Sequence, residues 1–451
     1  MATDPTKRIR RRRVATPFTM GAEDFLDRLG HLAPSTEAPY LTVTVDWRPE
    51  GSSPGRAEPE EVRRSQRRAG VEEEGARWRP AIEILEDQVE DLIEAQGERG
   101  VTHDSLREDY KNIMGWLQNE LDPAAHGACV VANSSMDVFE ATGFLLPLPT
   151  EIHVGPTPAV YSLVQMVEDY PVYGVLNADQ QEAVLSFIAF GGINRQVTLV
   201  GNDYPRHQQQ GGWSQRRYQN RAGERIDAFA RDVAEETRKQ LDRLGVHDLI
   251  VGGNEVMTSA LDDAFHESVK KRIVATIPMD MTASDSDTIE ATMPIVTRAE
   301  REREEAAVRE LTDMIGMDAR GASGPADTLR ALQNGQVDVL VMVDTFEGTG
   351  WADYEMHVFG IGDLPTSHPV GGDVSSLVSI DLREEMVRLA LETGAEVDII
   401  HSAVPVADDE EVRDVDDAMP MSPAAKTMQD MGGVGAILRY SLDETPPDEA
   451  V

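Results

Sequence analysis

The window Tyr204 to Gly223 reads YPRHQQQGGWSQRRYQNRAG and holds no acidic residue, although the chain has 81 Asp and Glu among 451 residues. Arg206, His207, Arg216, Arg217 and Arg221 lie in it, set among Gln, Tyr and Trp side chains. Cations interleaved with amides and aromatic rings suit phosphates and stacked bases. Gly211-Gly212 stands near the middle, where backbone can approach a ligand that a Cβ would hold off. The spacing predicts a long helix from about Gln215 to Leu244. On it Arg217, Arg221 and Arg225 recur at i, i+4 and i+8 along one face. Tyr218, Ala222, Ile226, Phe229 and Val233 form the opposite, buried stripe. A basic, glycine-tipped loop ahead of a helix points to RNA. The bland alternative is a surface loop that happens to be basic.

Other constellations are empty. The ten His residues are dispersed, and none shows His-Glu-x-x-His spacing, so no metal is expected. There is no Walker A sequence and no bound nucleotide or other cofactor is implied. The cluster around Gly432 lacks a dinucleotide fingerprint and reads as a turn. Asp338, Asp344 and Asp398 near strand ends raise a metal-dependent nuclease as an alternative, but strand caps account for them. The single Cys129 excludes an intrachain disulfide and points to a reducing compartment.

The elements that must position the window belong to a chain long enough for several cores. A flexible basic arm is expected over 1–34, with Lys7-Arg8-Ile9-Arg10-Arg11-Arg12-Arg13 at its centre. An N-terminal α/β domain follows over 35–155. Its strand starts at Tyr40 and its long helix runs from about Glu58 to Gln96, with Ile82, Ile84, Leu85, Val89, Leu92 and Ile93 in a stripe. A second helix and the strands Ala128 to Ala132 and Val138 to Ala141 complete it. Strands and helices alternate over 156–296, which argues for a layered α/β domain. A charged helix near Arg298 to Ile315 leads into a third domain, 297–440. There the buried runs Val337 to Val343 and Val397 to Ile400 each follow a helix. Residues 441–451 form an acidic tail.

The charge is strongly one-sided. Lys and Arg number 42, only six of them Lys, and the formal net charge is -39. High acid with scarce Lys is what a salt-rich cytoplasm favours, and suggests a halophilic source. In molar salt the Debye length is about 3 Å, so repulsion of nucleic acid largely disappears. No apolar run reaches membrane-spanning length and no secretory leader follows the basic start, so a cytoplasmic protein is expected.

The middle segment resembles that of class I peptide chain release factors of eukaryotes and archaea, and of the rescue factor Pelota. In that family a basic segment ends in Gly-Gly-Gln, then Ser and an Arg-rich helix. Here Gly211-Gly212-Trp213-Ser214-Gln215-Arg216-Arg217-Tyr218 stands in that position. The strand Leu249-Ile250-Val251-Gly252-Gly253 is similar to the family's later strand and glycine pair. Thr328-Leu329-Arg330-Ala331-Leu332 and the closing Gly432-Gly433-Val434-Gly435-Ala436-Ile437-Leu438-Arg439-Tyr440 resemble release-factor C-terminal domains. The resemblance covers roughly 155–440. It implies a three-domain release-factor-like architecture, with an RNase H-like middle domain and an α/β/α C-terminal domain like ribosomal proteins that bind kinked RNA.

The departures narrow the function. The codon-reading motifs Asn-Ile-Lys-Ser and Tyr-x-Cys-x-x-x-Phe are absent, so codon-directed termination is not expected. The first domain looks like the prokaryotic branch, which includes hibernation factors such as Balon and relatives of the peptidyl-tRNA hydrolase of ribosome quality control. The archaeal likeness and the charge suggest an archaeal halophile.

Trp213 stands where the family has Gln. Its backbone N–H survives as a donor for a developing oxyanion, whereas the side-chain amide does not. Gln215 is the nearest substitute, and an indole offers stacking instead. His207 is the one group in the window able to act as a base, though a phosphate contact explains it equally. Gly211, Gly212, Trp213 and Gln215 are therefore the catalytic candidates. Arg206, His207, Arg216, Arg217, Arg221 and Arg225 are the RNA-binding ones. The implied function is codon-independent rescue through peptidyl-tRNA hydrolysis on the large ribosomal subunit, with a translational GTPase as a further partner and neither membrane nor DNA. The alternatives are a non-catalytic hibernation factor in the A site and an RNA-binding or RNA-processing protein acting off the ribosome.

Overall fold

In the computed structural model the described residues are 22–35, 37–48, 80–95, 100–122, 125–144, 147–169, 172–189, 192–200, 214–317, 320–403 and 421–441. They divide into two compact units, one of residues 170–300 and the other of residues 24–169 together with those after 300.

The unit of residues 170–300 is built on a five-stranded sheet. Its strands are β5 (Tyr173–Ala178), β6 (Glu182–Ala189), β7 (Gly192–Val200), β8 (Asp248–Gly253) and β9 (Ile273–Pro278), in the order β7-β6-β5-β8-β9. β5, β6 and β7 form an antiparallel meander, and β8 and β9 extend it in parallel. β8, flanked by β5 and β9, carries the apolar run Leu249-Ile250-Val251 and is buried along its whole length, as a strand covered on both faces is. Tyr173, Val175, Ile188, Ile250 and Val296 make one core cluster there. β9 has no sequence expectation behind it, because its alternating burial leaves no continuous apolar run.

The other unit contains two further sheets and a small one. Strands β1 (Tyr40–Asp46), β2 (Gly127–Asn133), β3 (Val138–Phe144) and β4 (Glu151–Gly155) form an antiparallel sheet in the order β3-β2-β1-β4. The helices α2 (Pro80–Ala95) and α3 (Val101–Asn119) contribute Leu85, Val89, Ile93, Leu106, Ile113 and Leu117 to a core with Val43, Val45 and Val130. Ile84 leaves the expected stripe and is 42% exposed. Residues 49–79, most of the expected long helix before α2, lie outside the described residues. So do the basic run at Lys7 to Arg13, the acidic run 408–417 and the tail. Ahead of β1, α1 (Ala22–Gly30) occupies the end of the segment expected as an arm, and buries Phe25, Leu26 and Leu29. Those three fall on one helical face, a period too short to detect beside the basic run.

The C-terminal residues form the sheet β10-β16-β11-β15 from Gly321–Ser323, Val434–Leu438, Val337–Val343 and Glu396–Ile400. A small sheet, β13-β12-β14, is made by Val358–Ile361, Thr349–Asp353 and Val378–Asp381. The helix α8 (Asp285–Met317) begins 13 residues before the expected Arg298 and runs through Pro294. A boundary expected between 296 and 297 therefore falls inside it. The other helices are α4 (Tyr161–Asp169), α5 (Ser214–Leu244), α6 (Glu255–Ala264), α7 (Glu267–Lys270), α9 (Gly324–Gln333), α10 (Leu382–Glu392) and α11 (Pro423–Asp430).

Buried carboxylates on α10 join the two sequence-distant parts of this unit. Glu384 accepts the backbone N–H groups of Val160 and Tyr161 at 2.7 and 2.9 Å, at the start of α4. There it meets the positive end of the helix dipole. Glu385 accepts from Arg388 at 2.7 Å and from the Tyr354 hydroxyl at 3.0 Å. The Arg383 guanidinium lies 4.3 Å from the Tyr161 ring centroid. Burial pushes the Glu384 carboxyl up to about 7, against the two backbone donors that favour its charge.

Folding takes up a proton at Glu384, whose stability contribution is full below its ordinary 4.5 and lost as pH rises through about 7. Glu384→Gln keeps an acceptor and removes that titration, so the difference in melting temperature between pH about 5 and about 8 should narrow; an unchanged difference would refute the assignment. Gly253 has φ +134°, and a Cβ there would lie 2.0 Å from the Ala178 carbonyl oxygen, whereas Gly115 has open space. In chemical denaturation, Gly253→Ala should lose about 2–4 kcal/mol and Gly115→Ala, inside α3, should gain roughly 0.5–1 kcal/mol.

Candidate nucleic-acid interface

The basic window begins beyond the end of β7 and runs into the first turns of α5. β7 is the edge strand of its sheet, and its last residue, Val200, is 73% exposed. Residues 201–213 follow and lie outside the described residues, and with them Arg206, His207, Gly211, Gly212 and Trp213. α5 opens at Ser214. Its first two turns carry Gln215, Arg216, Arg217 and Arg221, and Arg225 stands in the next as an exposed residue. The structure thus brings Gln215 and four arginines onto one helix, directly after the Gly-Gly-Trp segment.

The far part of α5 anchors it. Ala230, Val233, Ala234, Leu241 and Leu244 are buried, and Ile226 and Phe229 are half-buried. Val233 is thus in the stripe that the helical spacing predicts. On the other side of the sheet edge, Asn254 caps α6 by accepting the Met257 N–H at 2.9 Å. The glycine pair Gly252-Gly253 therefore serves the strand-to-helix turn.

Electrostatics separate the two ends of α5. Near its C-terminus Arg238 meets Glu235 at 3.0 Å and Asp242 at 3.4 Å, and Arg272 reaches Asp242 at 2.8 Å. The first turn has no acid at all, and Glu224 is the first acid of the helix. The helix dipole is positive at this end, which favours anions over cations. An anion seated among the arginines and the N–H groups of the first turn would be held by both.

Two clusters elsewhere arise only in three dimensions, and sequence spacing carries no signal of them. His368 meets Asp353 at 3.0 Å, and its other ring nitrogen accepts the Val370 N–H at 3.3 Å. Ser376 also donates to Asp353. Ser376, the Met356 N–H and His368 together hold the Asp353 carboxyl below its ordinary range. Because serine bonds the carboxylate rather than the imidazole, the cluster fixes the small sheet's loop and activates no nucleophile. The second cluster joins His401 to Asp169 and Glu304. Asp344, one of the strand-end aspartates, caps the Ser402 N–H at 3.0 Å. Among the described residues, no group of three or more His, Cys, Asp or Glu is placed to hold a metal, and no helix is long and apolar enough to cross a membrane.

Comparison with known proteins fits the same segment. Residues 158–296 match the bacterial archaeo-eukaryotic release factor family 10. Peptide chain release factor subunit 1 of Thermococcus onnurineus is 23% identical over 304 residues, covering 62% of this chain and 69% of that protein. The same factor of Thermococcus sibiricus is 22% identical over 373 residues, covering 74% and 85%. Among solved structures, Archaeoglobus fulgidus Pelota aligns with 72% of this chain and 83% of its own, at 16% identity and a TM-score of 0.29. The matched family segment contains the whole basic window and the helix that carries its arginines, and the relatives extend the likeness well beyond it. Residues 158–296 thus match a release-factor family model, and the longer chain is similar to archaeal peptide chain release factor subunit 1.

Proposed function

We propose that this protein is a codon-independent ribosome rescue or quality-control factor that binds the large subunit and promotes hydrolysis of peptidyl-tRNA. The observation that carries the reading is the acid-free, arginine-lined N-terminal end of α5, placed immediately after Gly211-Gly212-Trp213. Arg206, His207, Arg216, Arg217, Arg221 and Arg225 would contact tRNA or rRNA phosphates. Gly211 and Gly212 would let backbone approach the ester. The Trp213 N–H would donate to the oxyanion, and Gln215 would orient the attacking water. The C-terminal part would hold the ribosomal base or a translational GTPase. The missing codon-reading motifs support action without a stop codon.

A second reading is favoured by one residue. With Trp213 in place of the family's Gln, the segment loses its side-chain amide and gains a stacking surface. That change suits a factor that occupies the A site of dormant ribosomes without chemistry. An RNA-processing role off the ribosome has no comparable observation in its support.

The test is release of labelled peptidyl-tRNA from stalled ribosomes of the source organism in molar salt, with ribosome sedimentation alongside. The rescue reading expects release by the wild type, with Gly212→Ala and Gln215→Ala abolishing it while cosedimentation persists. Sedimentation without release, weakened by Trp213→Ala and indifferent to Gln215→Ala, would replace it with the hibernation reading. Absence of both would overturn ribosome binding. In a salt titration of binding, the double variant Arg217→Ala/Arg221→Ala should lower the log–log slope by about 2, one for each phosphate that an arginine no longer neutralises.

A further inference from the structure

Exposed apolar side chains gather on the small sheet and its loop, where Met356, Ile361, Leu364, Val370 and Val374 are each 43–55% exposed. Three of them form one surface. Gly371, with φ +86°, and Gly372 carry the loop from Val370 to Val374. A Cβ on Gly372 would lie 2.8 Å from the Met356 sulfur, so the turn that joins β12 to β13 lies against the glycine pair. Met356, Val370 and Val374 therefore lie around Gly372.

The same three segments are pinned from beneath by one buried carboxylate. Asp353 accepts the Met356 N–H at 2.9 Å. His368 accepts the Val370 N–H through Nδ1 at 3.3 Å, so its proton sits on Nε2 and is donated to Asp353 at 3.0 Å. Ser376, which ends the 3-10 turn Val374–Ser376, donates its hydroxyl to Asp353 as well. The Asp353 and His368 side chains are almost wholly buried. A satisfied polar network thus lies inside and holds apolar side chains in water. A surface fixed in this way needs little ordering when it is covered, which favours binding.

Charge selects the partner. Arg330 and Arg383 bracket residues 331–382, which contain eight acids and no Lys or Arg. Glu355 and Asp373 adjoin Met356 and Val374 in the chain and are exposed, as are Glu347, Asp363 and Asp381. Such a rim repels the phosphates of a nucleic acid. It also repels a second copy of a chain whose net charge is -39. Its complement is a polypeptide that carries Lys or Arg together with apolar side chains.

We propose that Met356, Val370 and Val374, rimmed by Glu355 and Asp373, form a docking site for a basic protein segment that sets apolar side chains between its cations. Apolar contact supplies the attraction that salt does not screen, and the acidic rim selects the partner. The inference rests on this surface alone and holds whether or not the start of α5 binds RNA.

Fluorescence anisotropy with labelled peptides tests this on the full-length protein, across a salt series from about 0.15 to 1 M. The probe is a synthetic helical peptide of Lys and Leu, beside one with Glu in place of Lys and one with Ser in place of Leu. At the low end of the series, wild type should bind the Lys/Leu peptide about tenfold tighter than either control. Added salt should shrink its advantage over Glu/Leu and leave its advantage over Lys/Ser. Val370→Ser/Val374→Ser alters only exposed side chains, so it should fold and lose the preference for Leu; Ile84→Ser, at an exposed apolar residue elsewhere, should keep it. No binding by wild type, equal binding by wild type and the double variant, or equal affinity for Lys/Leu and Glu/Leu at low salt would overturn the proposal. A dimer that the double variant loses would assign the surface to a second copy instead. Tighter binding of the Lys/Leu peptide alone, once Arg8, Arg10, Arg11, Arg12 and Arg13 are changed to Ser, would assign it to this chain's own basic run.

Discussion

The structure depends on burying carboxylates where backbone donors or paired cations await them. Glu384, placed against the first N–H groups of α4, and Glu385, which accepts from the Thr157 hydroxyl at 3.3 Å, join residues at the N-terminal sheet's exit to the C-terminal α10. A buried carboxylate is expensive unless its acceptors are filled, and a broken buried pair costs about 3–5 kcal/mol. These bonds are therefore selective as well as cohesive. They bring together two chain segments that the residues 170–300 separate in sequence.

Much of this was legible in the sequence, for reasons that differ by element. β11 and β15 are continuous apolar runs, and α5 has a long 3.6-residue stripe, so their observed bounds lie within a residue or so of expectation. β4 and β9 were not legible, because they are short, partly exposed strands whose register comes from neighbours already in the sheet. The small sheet of β12, β13 and β14 hid for the same reason. α8 begins early through Pro294 because tertiary packing of Thr292 and Val296 in the core outweighs the lost backbone hydrogen bond. Of the candidate site, the arginine spacing and the acid-free window were legible because they are one-dimensional facts. The clusters at His368 and His401 were not, since their members lie 15 to 232 residues apart.

Charge is the second organising constraint. A chain with a net charge of -39 repels polyanions at long range, so an RNA interface in it must be local and short-ranged. Under the proposed reading, the window of 204–223 meets that requirement by excluding acids and gathering arginines. Arginine suits this better than lysine. Its fork binds a phosphate through two hydrogen bonds and remains directional when salt has screened the bare charge.

Under the proposed reading, the start of α5 would favour an occupied state. Arginines at the positive end of a helix raise the energy of the empty protein slightly, while an anion bound there gains both the cations and the N–H groups of the first turn. The preference thus arises from the free state as much as from the complex. It needs no rearrangement within α5, whose distal turns are fixed by Val233, Leu241 and Leu244.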